Sequence, residues 1–193
     1  VGNSVFMEYV KKDGKFEKLA QQNVDFGGGL ERITAAANGN PDVFRAVDTL
    51  AAMVNHLEQG ANAKYGTSMD ATAAYRVIAD HMRAASFLIA DGVIPSNTER
   101  GYFLRRLIRR SVRYADKLGL TPGSLGYLYT IVAREYRDVY EELADGHQTL
   151  IYREEDKFRE TLALGMREFE KVIETYLNGT LDDKTIETGA VFD

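Results

Sequence analysis

The pattern of hydrophobic and polar positions divides the chain into a short strand-rich start and a long helical remainder. Residues 3–10 and 15–20 are predicted to form two strands, joined at Asp13-Gly14, a residue pair typical of tight hairpins. Residues 23–26 are predicted to form a third strand. Beyond residue 30, apolar residues recur every three or four positions, which is the helical period.

The first helix is predicted over residues 30–37, where the run Asn38-Gly39-Asn40-Pro41 stops it. Asp42 is well placed to begin the next helix, which we expect to continue to Leu57. Residues 58–70 are mostly small and polar, so the domain boundary is predicted there. The expected domains are residues 1–60 and residues 61–193.

Four further helices are predicted after this boundary, over residues 70–91, 99–118, 124–143 and 148–177. Glycines mark the ends of the first two. Residues 179–193 are expected to be a turn and the start of a further element. The fold class is therefore α+β and mostly α-helical, with short antiparallel strands followed by a helical bundle. The last helix has seam spacing at Ile151, Phe158, Leu162, Gly165, Phe169, Val172 and Tyr176.

The predicted helix over residues 99–118 separates cationic from apolar residues. At about 100° per residue its basic side chains fall in one sector of roughly 140°. Like charges at this spacing repel each other and need an anion to offset them, and phosphate is the natural anion. The alternative is a solvated surface, which is the usual arrangement of charged stripes. The basic residues are Arg105, Arg106, Arg109, Arg110, Arg113 and Lys117. The apolar residues opposite are Leu104, Leu107, Ile108, Val112, Ala115 and Leu118.

Composition narrows the function classes. The net charge of −5 argues against a general nucleic-acid coat, so the basic stripe is a local feature of an acidic chain. With no cysteine and three scattered histidines, no protein-bound zinc is expected. No run approaches the ~20 apolar residues of a membrane span, and we expect a cytoplasmic protein with no membrane partner. The chain starts without methionine and is expected to be an excised fragment.

The stretch over residues 24–33 (VDFGGGLERI) has the residues of a ligand site. Asp25 could receive an ammonium group, the three glycines allow close approach to the backbone, and Arg32 could take a phosphate. An ordinary glycine-rich turn before a helix is the alternative. The spacing fits neither a phosphate loop nor a dinucleotide fold.

These residues carry a resemblance to a known family. Residues 27–32 (GGGLER) resemble motif 3 of the class II aminoacyl-tRNA synthetases. Residues 76–83 (RVIADHMR), 87–97 (FLIADGVIPSN) and 100–113 (RGYFLRRLIRRSVR) closely resemble the alanyl-tRNA synthetases, and residues 3–9 (NSVFMEY) also fit. The resemblance implies the last part of a class II catalytic domain followed by a helical tRNA-recognition domain. It implies ATP-dependent joining of alanine to tRNA.

The resemblance also implies roles around the alanine pocket. Asp25 matches the aspartate that holds the alanine ammonium, and Gly27 matches the glycine whose backbone lies against the alanine methyl. Asn3 matches an asparagine that lines the same pocket. The position before it is commonly tryptophan in the family and is Gly2 here, which affects the expected shape of the pocket.

Motif 3 implies contacts to ATP, with Mg²⁺ as the partner ion in the full enzyme. Arg32 matches the arginine that contacts ATP, Gly29 belongs to the same cofactor-binding motif, and Glu31 is expected to orient its neighbours. The residues alone leave other roles open. Asp25 could cap the helix after the glycines, Asn3 could sit in an edge turn, and Glu31 and Arg32 could form surface ion pairs.

For tRNA, the resemblance implies that the helical region grips the acceptor stem and helps to read its G·U pair. Arg83 matches an arginine of that region, Thr72 stands at the position of a recognition asparagine, and Glu170 is the candidate acidic partner from the last helix. Alternatively, Arg76, Asp80 and Arg83 form an ion-pair ladder within one helix. The expected stem contacts on the basic helix are Arg105, Arg106, Arg109, Arg110 and Arg113.

Nothing in the chain resembles motif 1 or motif 2 of the class. The isolated chain is therefore predicted to bind tRNA weakly and to form no adenylate. The alternative from another class is a helical nucleic-acid-binding module without catalytic activity, in which the glycines only make a tight turn.

Overall fold

The N-terminal part of the chain is one antiparallel hairpin. In the computed structural model, which describes residues 1–143 and 146–177, strand β1 (Gly2–Lys12) pairs with strand β2 (Lys15–Gly28). Asp13 and Gly14 adopt φ angles of 48° and 79°, the left-handed pair that a type I′ turn needs. The predicted hairpin is confirmed.

The predicted third strand is wrong, because β2 continues through it. Met7 pairs with Asn23 and Tyr9 pairs with Lys18, so residues 19–22 of β2 lie opposite Glu8 alone. The polar residues between the second and third predicted strands therefore lie in a bulge of β2. Across this bulge, Gln22 Nε2 donates to Glu8 Oε1 at 2.8 Å.

Three helices follow the hairpin. Helix α1 (Leu30–Ala37) ends at Asn38 as predicted, and Gly39 has a φ of 61°. Asp42 begins the next helix, since its side chain accepts from the Phe44 N–H. The single helix expected after it is wrong: Val47 is extended, with φ −101° and ψ 122°, and separates helix α2 (Val43–Ala46) from helix α3 (Asp48–Gly60).

The remaining helices agree with the predictions, with one exception. Helices α4 (Met69–Ala90), α5 (Glu99–Lys117) and α7 (Gln148–Leu177) have nearly the expected bounds. Helix α6 (Gly126–Tyr136) stops seven residues before the expected end. Residues 137–139 form a turn, in which the Tyr136 carbonyl accepts from the N–H groups of both Val139 and Tyr140. The element expected over residues 179–193 lies outside the described residues.

The hydrophobic core is shared by α3 to α7, and α4 packs most extensively against α5. Because Met53, Val54 and Leu57 of α3 lie in this core, the helix before the predicted domain boundary packs with the helices after it. The division at residues 60 and 61 stays a prediction. Fully buried side chains at the centre are Tyr75, Ile78, Met82, Leu104, Ile108, Leu128 and Ile151.

Both faces of the hairpin and the second half of α7 are exposed. Met53 and Met82 are fully buried in the core, whereas the hairpin phenylalanines and Met69 are exposed. Along α7 the seam is buried at Ile151, half-buried at Phe158 and Val172, and exposed at Leu162, Gly165, Phe169 and Tyr176. Within residues 1–143 and 146–177, no helix is long and apolar enough to cross a membrane.

Candidate active site and nucleic-acid interface

The hairpin brings three of the predicted site residues together. Asn3 lies directly opposite Gly27, and Val5 lies opposite Asp25. Because side chains alternate between the faces of a strand, these four residues share one face, and Asn3 and Asp25 are diagonal neighbours on it. Asn3 lies inside a paired strand and not in an edge turn.

This face is open. Asp25 is exposed and has no hydrogen-bond or ion-pair partner among the described residues. The N-cap of α1 is Gly29, with no side-chain cap, so the alternative in which Asp25 caps this helix is wrong. A Cβ atom built on Gly27 meets no heavy atom within 4 Å. The space beside Asp25 is therefore available to a small ligand.

Gly2, where the family commonly has tryptophan, belongs to the opposite face. A Cβ atom at Gly2 would lie 2.6 Å from the Phe26 ring, and one at Gly28 would lie 3.1 Å from the same ring. The Phe26 ring thus occupies the space next to both glycines. A side chain at position 2 would meet Phe26 on that face of the hairpin rather than Asp25 on the other.

The side chains of Arg32 and Glu31 on helix α1 have different surroundings. Arg32 is exposed and has no acidic partner within the described part of the chain. It lines a groove of about 370 Å³ together with residues 39–41. A Cβ atom at Gly29 would lie 3.4 Å from Arg32 Cδ. Glu31 Oε1 instead accepts from Arg83 Nη2 of α4 at 2.9 Å. A backbone hydrogen bond and Arg83 lower the pKa of Glu31.

The alternative of an ion-pair ladder within α4 is wrong, because the two arginines pair with other elements. Arg76 Nη2 lies 3.3 Å from Asp42 Oδ1, and Arg76 Nε donates to the Tyr65 hydroxyl at 2.8 Å. Tyr65 donates in turn to Asp42 Oδ2 at 2.7 Å. Burial alone would raise the pKa of Asp42, but hydrogen bonds from Tyr65 and Phe44 and the charge of Arg76 lower it.

Thr72 lies one turn before Arg76, and both line a concave surface of about 710 Å³ at the start of α4. The Thr72 hydroxyl donates to the Ser68 carbonyl at 2.6 Å. Arg83 lies eleven residues, or about 16 Å, further along the helix axis. The structure therefore brings Thr72 close to Arg76, whereas Arg83 contacts α1.

The basic stripe on α5 has an inner edge that is paired inside the protein. Arg109 Nε donates to Glu154 Oε1 of α7 at 2.7 Å, and Arg105 Nε lies 3.2 Å from the same oxygen. Arg105 also donates to the Asn97 side chain and to the Pro95 carbonyl. The Glu154 side chain is only 6% exposed, so one buried carboxylate balances two of the predicted stem-binding arginines.

The outer edge of the stripe has no such balance. Four cations there have no acidic partner in the parts of the chain described: Arg106, Arg110, Arg113 and Lys117. Arg110 and Lys117 flank the Tyr114 ring, with Arg110 Cζ 5.9 Å and Lys117 Nζ 5.1 Å from its centroid. With Arg113 they line a concavity of about 180 Å³, which is suited to an anion.

Sequence reasoning missed Glu154 and Tyr114. A signal for Glu154 existed, because it lies three residues after the buried Ile151 and thus on the apolar side of α7. A second ion pair also joins α5 to α7: Arg159 Nη1 lies 2.6 Å from Asp116, and Arg159 Nη2 lies 2.9 Å from the buried Glu155. Glu170, sixteen residues or about 24 Å beyond Glu154, is exposed, and α7 packs against α5 and α6.

No group of three histidine, aspartate or glutamate side chains that could hold a metal ion occurs among the described residues.

The chain as a whole, residues 1–193, matches the family model of the class II tRNA synthetases (A). It therefore belongs to the class II aminoacyl-tRNA synthetase family.

Within this family its relatives are alanine–tRNA ligases. The chain is 38% identical to the enzyme of Thermotoga petrophila over 178 residues, 90% of this chain and 20% of that protein. It is 39% identical to the enzyme of Vesicomyosocius okutanii, over 96% of this chain and 22% of that protein. For the Listeria monocytogenes enzyme the identity is 38% over 91% of this chain and 20% of that protein. The chain spans about a fifth of these relatives' length.

Proposed function

We propose that this chain is the part of an alanine–tRNA ligase that supplies motif 3 and grips the acceptor stem of the tRNA for alanine. The observation that carries the proposal is the pairing of Asn3 with Gly27, which places Asp25 on the same open hairpin face just before Arg32. The family of the chain also argues against a nucleic-acid-binding module unrelated to any enzyme.

On the hairpin face, each residue has one role in binding alanine. The Asp25 carboxylate receives the ammonium group, and a charge-assisted hydrogen bond of this kind contributes about 1.5 to 3 kcal/mol. Gly27 leaves room for the methyl group, since nothing lies within 4 Å of its Cβ direction. Asn3 lines the pocket next to both. Together these residues hold alanine so that its carboxylate can attack the α-phosphorus of ATP.

Arg32 fits the triphosphate of ATP, because it is an exposed guanidinium with no carboxylate to neutralise it in the described structure. ATP would supply the adenylyl group: an oxygen of the alanine carboxylate bonds to the α-phosphorus while the bond from that phosphorus to pyrophosphate breaks. Arg32 offsets the negative charge that develops as pyrophosphate leaves. Mg²⁺, when bound, would offset further negative charge on the ATP phosphates beside Arg32.

The stem grip is assigned to the outer edge of α5. Arg106, Arg110 and Arg113 are placed against backbone phosphates, which position a duplex without reading its sequence. Thr72 and the concave surface at the start of α4 are assigned to base recognition. Arg105 and Arg109, which we expected to bind the stem, are engaged with Glu154 and contribute by holding α5 against α7.

The test is the alanine-dependent exchange of pyrophosphate into ATP by the full-length ligase that carries this segment. Asp25→Asn keeps the size of the side chain and removes its charge, and should lower the exchange by about 10- to 150-fold, the equivalent of that contact. Glu17→Gln, at an exposed carboxylate near the hairpin turn, is the matched control and should leave it unchanged. Equal exchange by the two variants would refute the proposal.

A further inference from the structure

Helix α1, which carries Arg32, is attached to the helical body through few apolar contacts. Ala35 is its only buried residue, while Leu30 and Ile33 are 74% and 42% exposed. An alanine buries little area, so hydrophobic packing alone does not fix the rotation of this helix about its axis. Directional polar contacts must supply that constraint.

Two ionic contacts from one face of α4 supply it. Arg83 holds Glu31 at the first turn of α1, at 2.9 Å, and the Arg83 and Glu31 side chains are 21% and 37% exposed. Arg76 holds Asp42 just beyond the turn that follows α1, at 3.3 Å, with Tyr65 bonded to both. Arg76 and Arg83 are seven residues, or two turns, apart and therefore lie on the same side of α4.

The contact to Glu31 acts directly on the neighbouring residue. Arg32 follows Glu31 in the chain, and about 100° of rotation separates their side-chain directions. Fixing the Glu31 carboxylate therefore fixes the direction in which Arg32 leaves the helix. A displacement of about 1 Å in a group that positions a substrate can lower a rate about 100-fold.

We infer that Arg83 is a positioning residue for adenylation: through Glu31 it holds α1 so that Arg32 meets the ATP phosphates. The inference rests on the proposed function and deepens it. It gives Arg83 a role before tRNA binds, because its guanidinium already donates to Glu31.

The experiment uses the full-length ligase that carries this segment and measures alanine-dependent pyrophosphate exchange in the absence of tRNA. Arg83→Gln and Glu31→Gln should each lower the exchange about tenfold or more, with the change in KM for ATP or in kcat and little change in KM for alanine. The double variant should be no worse than either single variant. Exchanging the charges, with Glu31→Arg and Arg83→Glu together, should recover part of the activity.

Arg159→Gln is the matched control, because Arg159 pairs with Asp116 at 2.6 Å, with side chains 23% and 40% exposed, but holds α7 to α5. It should leave the exchange without tRNA unchanged. Hydrogen exchange of the α1 amides gives a second measurement, and they should exchange faster in Arg83→Gln than in Arg159→Gln.

Two results would overturn the inference. Normal pyrophosphate exchange by Arg83→Gln, with aminoacylation lowered through KM for tRNA, would mean that Arg83 contacts only the RNA. Unchanged protection of the α1 amides would show that Arg83 does not hold this helix. Absence of exchange in the unmodified ligase is a separate failure, since it would refute the proposed function itself.

Discussion

Neutralising the outer arginines of α5 should weaken the salt dependence of RNA binding, whereas neutralising an inner arginine should not. The structure separates the two sets, since Arg110 and Arg113 have no acidic partner among the described residues, and Arg109 donates to Glu154 at 2.7 Å. Counterion release makes the logarithm of the binding constant fall with the logarithm of the salt concentration, by about 0.9 per phosphate neutralised.

The magnitude follows from that slope. A fourfold rise in salt, from about 50 to about 200 mM, costs about 3.5-fold in affinity for each phosphate contact. In the Arg110→Gln and Arg113→Gln double variant, the magnitude of the slope should therefore be smaller by about 1.8. Over this salt range, the affinity of the double variant should fall about 12-fold less than that of the parent chain. Arg109→Gln should keep the original slope.

The control variant has its own expected effect. Removing the Arg109 guanidinium leaves Glu154, only 6% exposed, with Arg105 as its remaining partner. The free energy of unfolding should fall by about 1 to 3 kcal/mol, the usual cost of a buried charged group that loses a hydrogen bond. Urea denaturation monitored by circular dichroism measures this loss.

The binding assay is fluorescence anisotropy of a labelled acceptor-stem hairpin, titrated with the 193-residue chain at several KCl concentrations. A slope that falls as much for Arg109→Gln as for Arg110→Gln would refute the reasoning. In that case the RNA would displace Glu154, and the inner arginines would bind phosphate as the family resemblance led us to expect.

Three further predictions concern recognition, pH and packing. Hairpins that differ only in G·U against G·C should give the same salt slope, because phosphates and not base edges set it; different slopes would mean that the base pair changes the docked position. The pKa of Asp42 lies below its usual 3.8, so its contribution to stability is present above about pH 4 and is lost as the pH falls through the lowered pKa. Asp42→Asn should therefore be less stable than the parent near pH 7, with a gap that closes in acid; urea midpoints from about pH 2 to 7 test this, and a constant gap would contradict it. Gly126→Ala should lower the free energy of unfolding by about 1 to 3 kcal/mol, because a Cβ atom there would lie 2.1 Å from the Tyr152 ring. Gly165→Ala, whose Cβ atom would have no atom within 4 Å, should raise the free energy of unfolding by up to about 1 kcal/mol. For either variant, a urea midpoint equal to that of the parent chain would refute the prediction.

Local signals predicted most of the elements. The Asp13-Gly14 turn, the ends of α4 and α5 and both ends of α7 agree with the sequence within about two residues. Gly92 and Gly119, which stop the first two of these helices, have φ angles of 80° and 69°. These features depend on backbone preferences of neighbouring residues, which the sequence states directly.

The errors arose where a longer-range contact competed with the local pattern. The polar residues before Asn23 looked like the end of a strand, but pairing with β1 carries β2 through them with a bulge. The break between α2 and α3 at Val47 lies in a segment whose apolar spacing fits one continuous helix, and no residue type in that segment predicts the break. The apolar residues of the hairpin are exposed, and a strand pattern does not predict this, because exposure depends on which surfaces the rest of the chain covers.

The candidate site divides in the same way. The sequence by itself predicted candidate residues for alanine and ATP through its family resemblance. It also predicted that the basic residues of α5 share one side, because the helical period fixes this relation along a short segment. Only the tertiary structure decided which charges remain available. Glu154 lies 45 residues from Arg109, and Glu31 lies 52 residues from Arg83. Such pairs form where separate elements meet, and the geometry of that meeting is set by packing of the whole core.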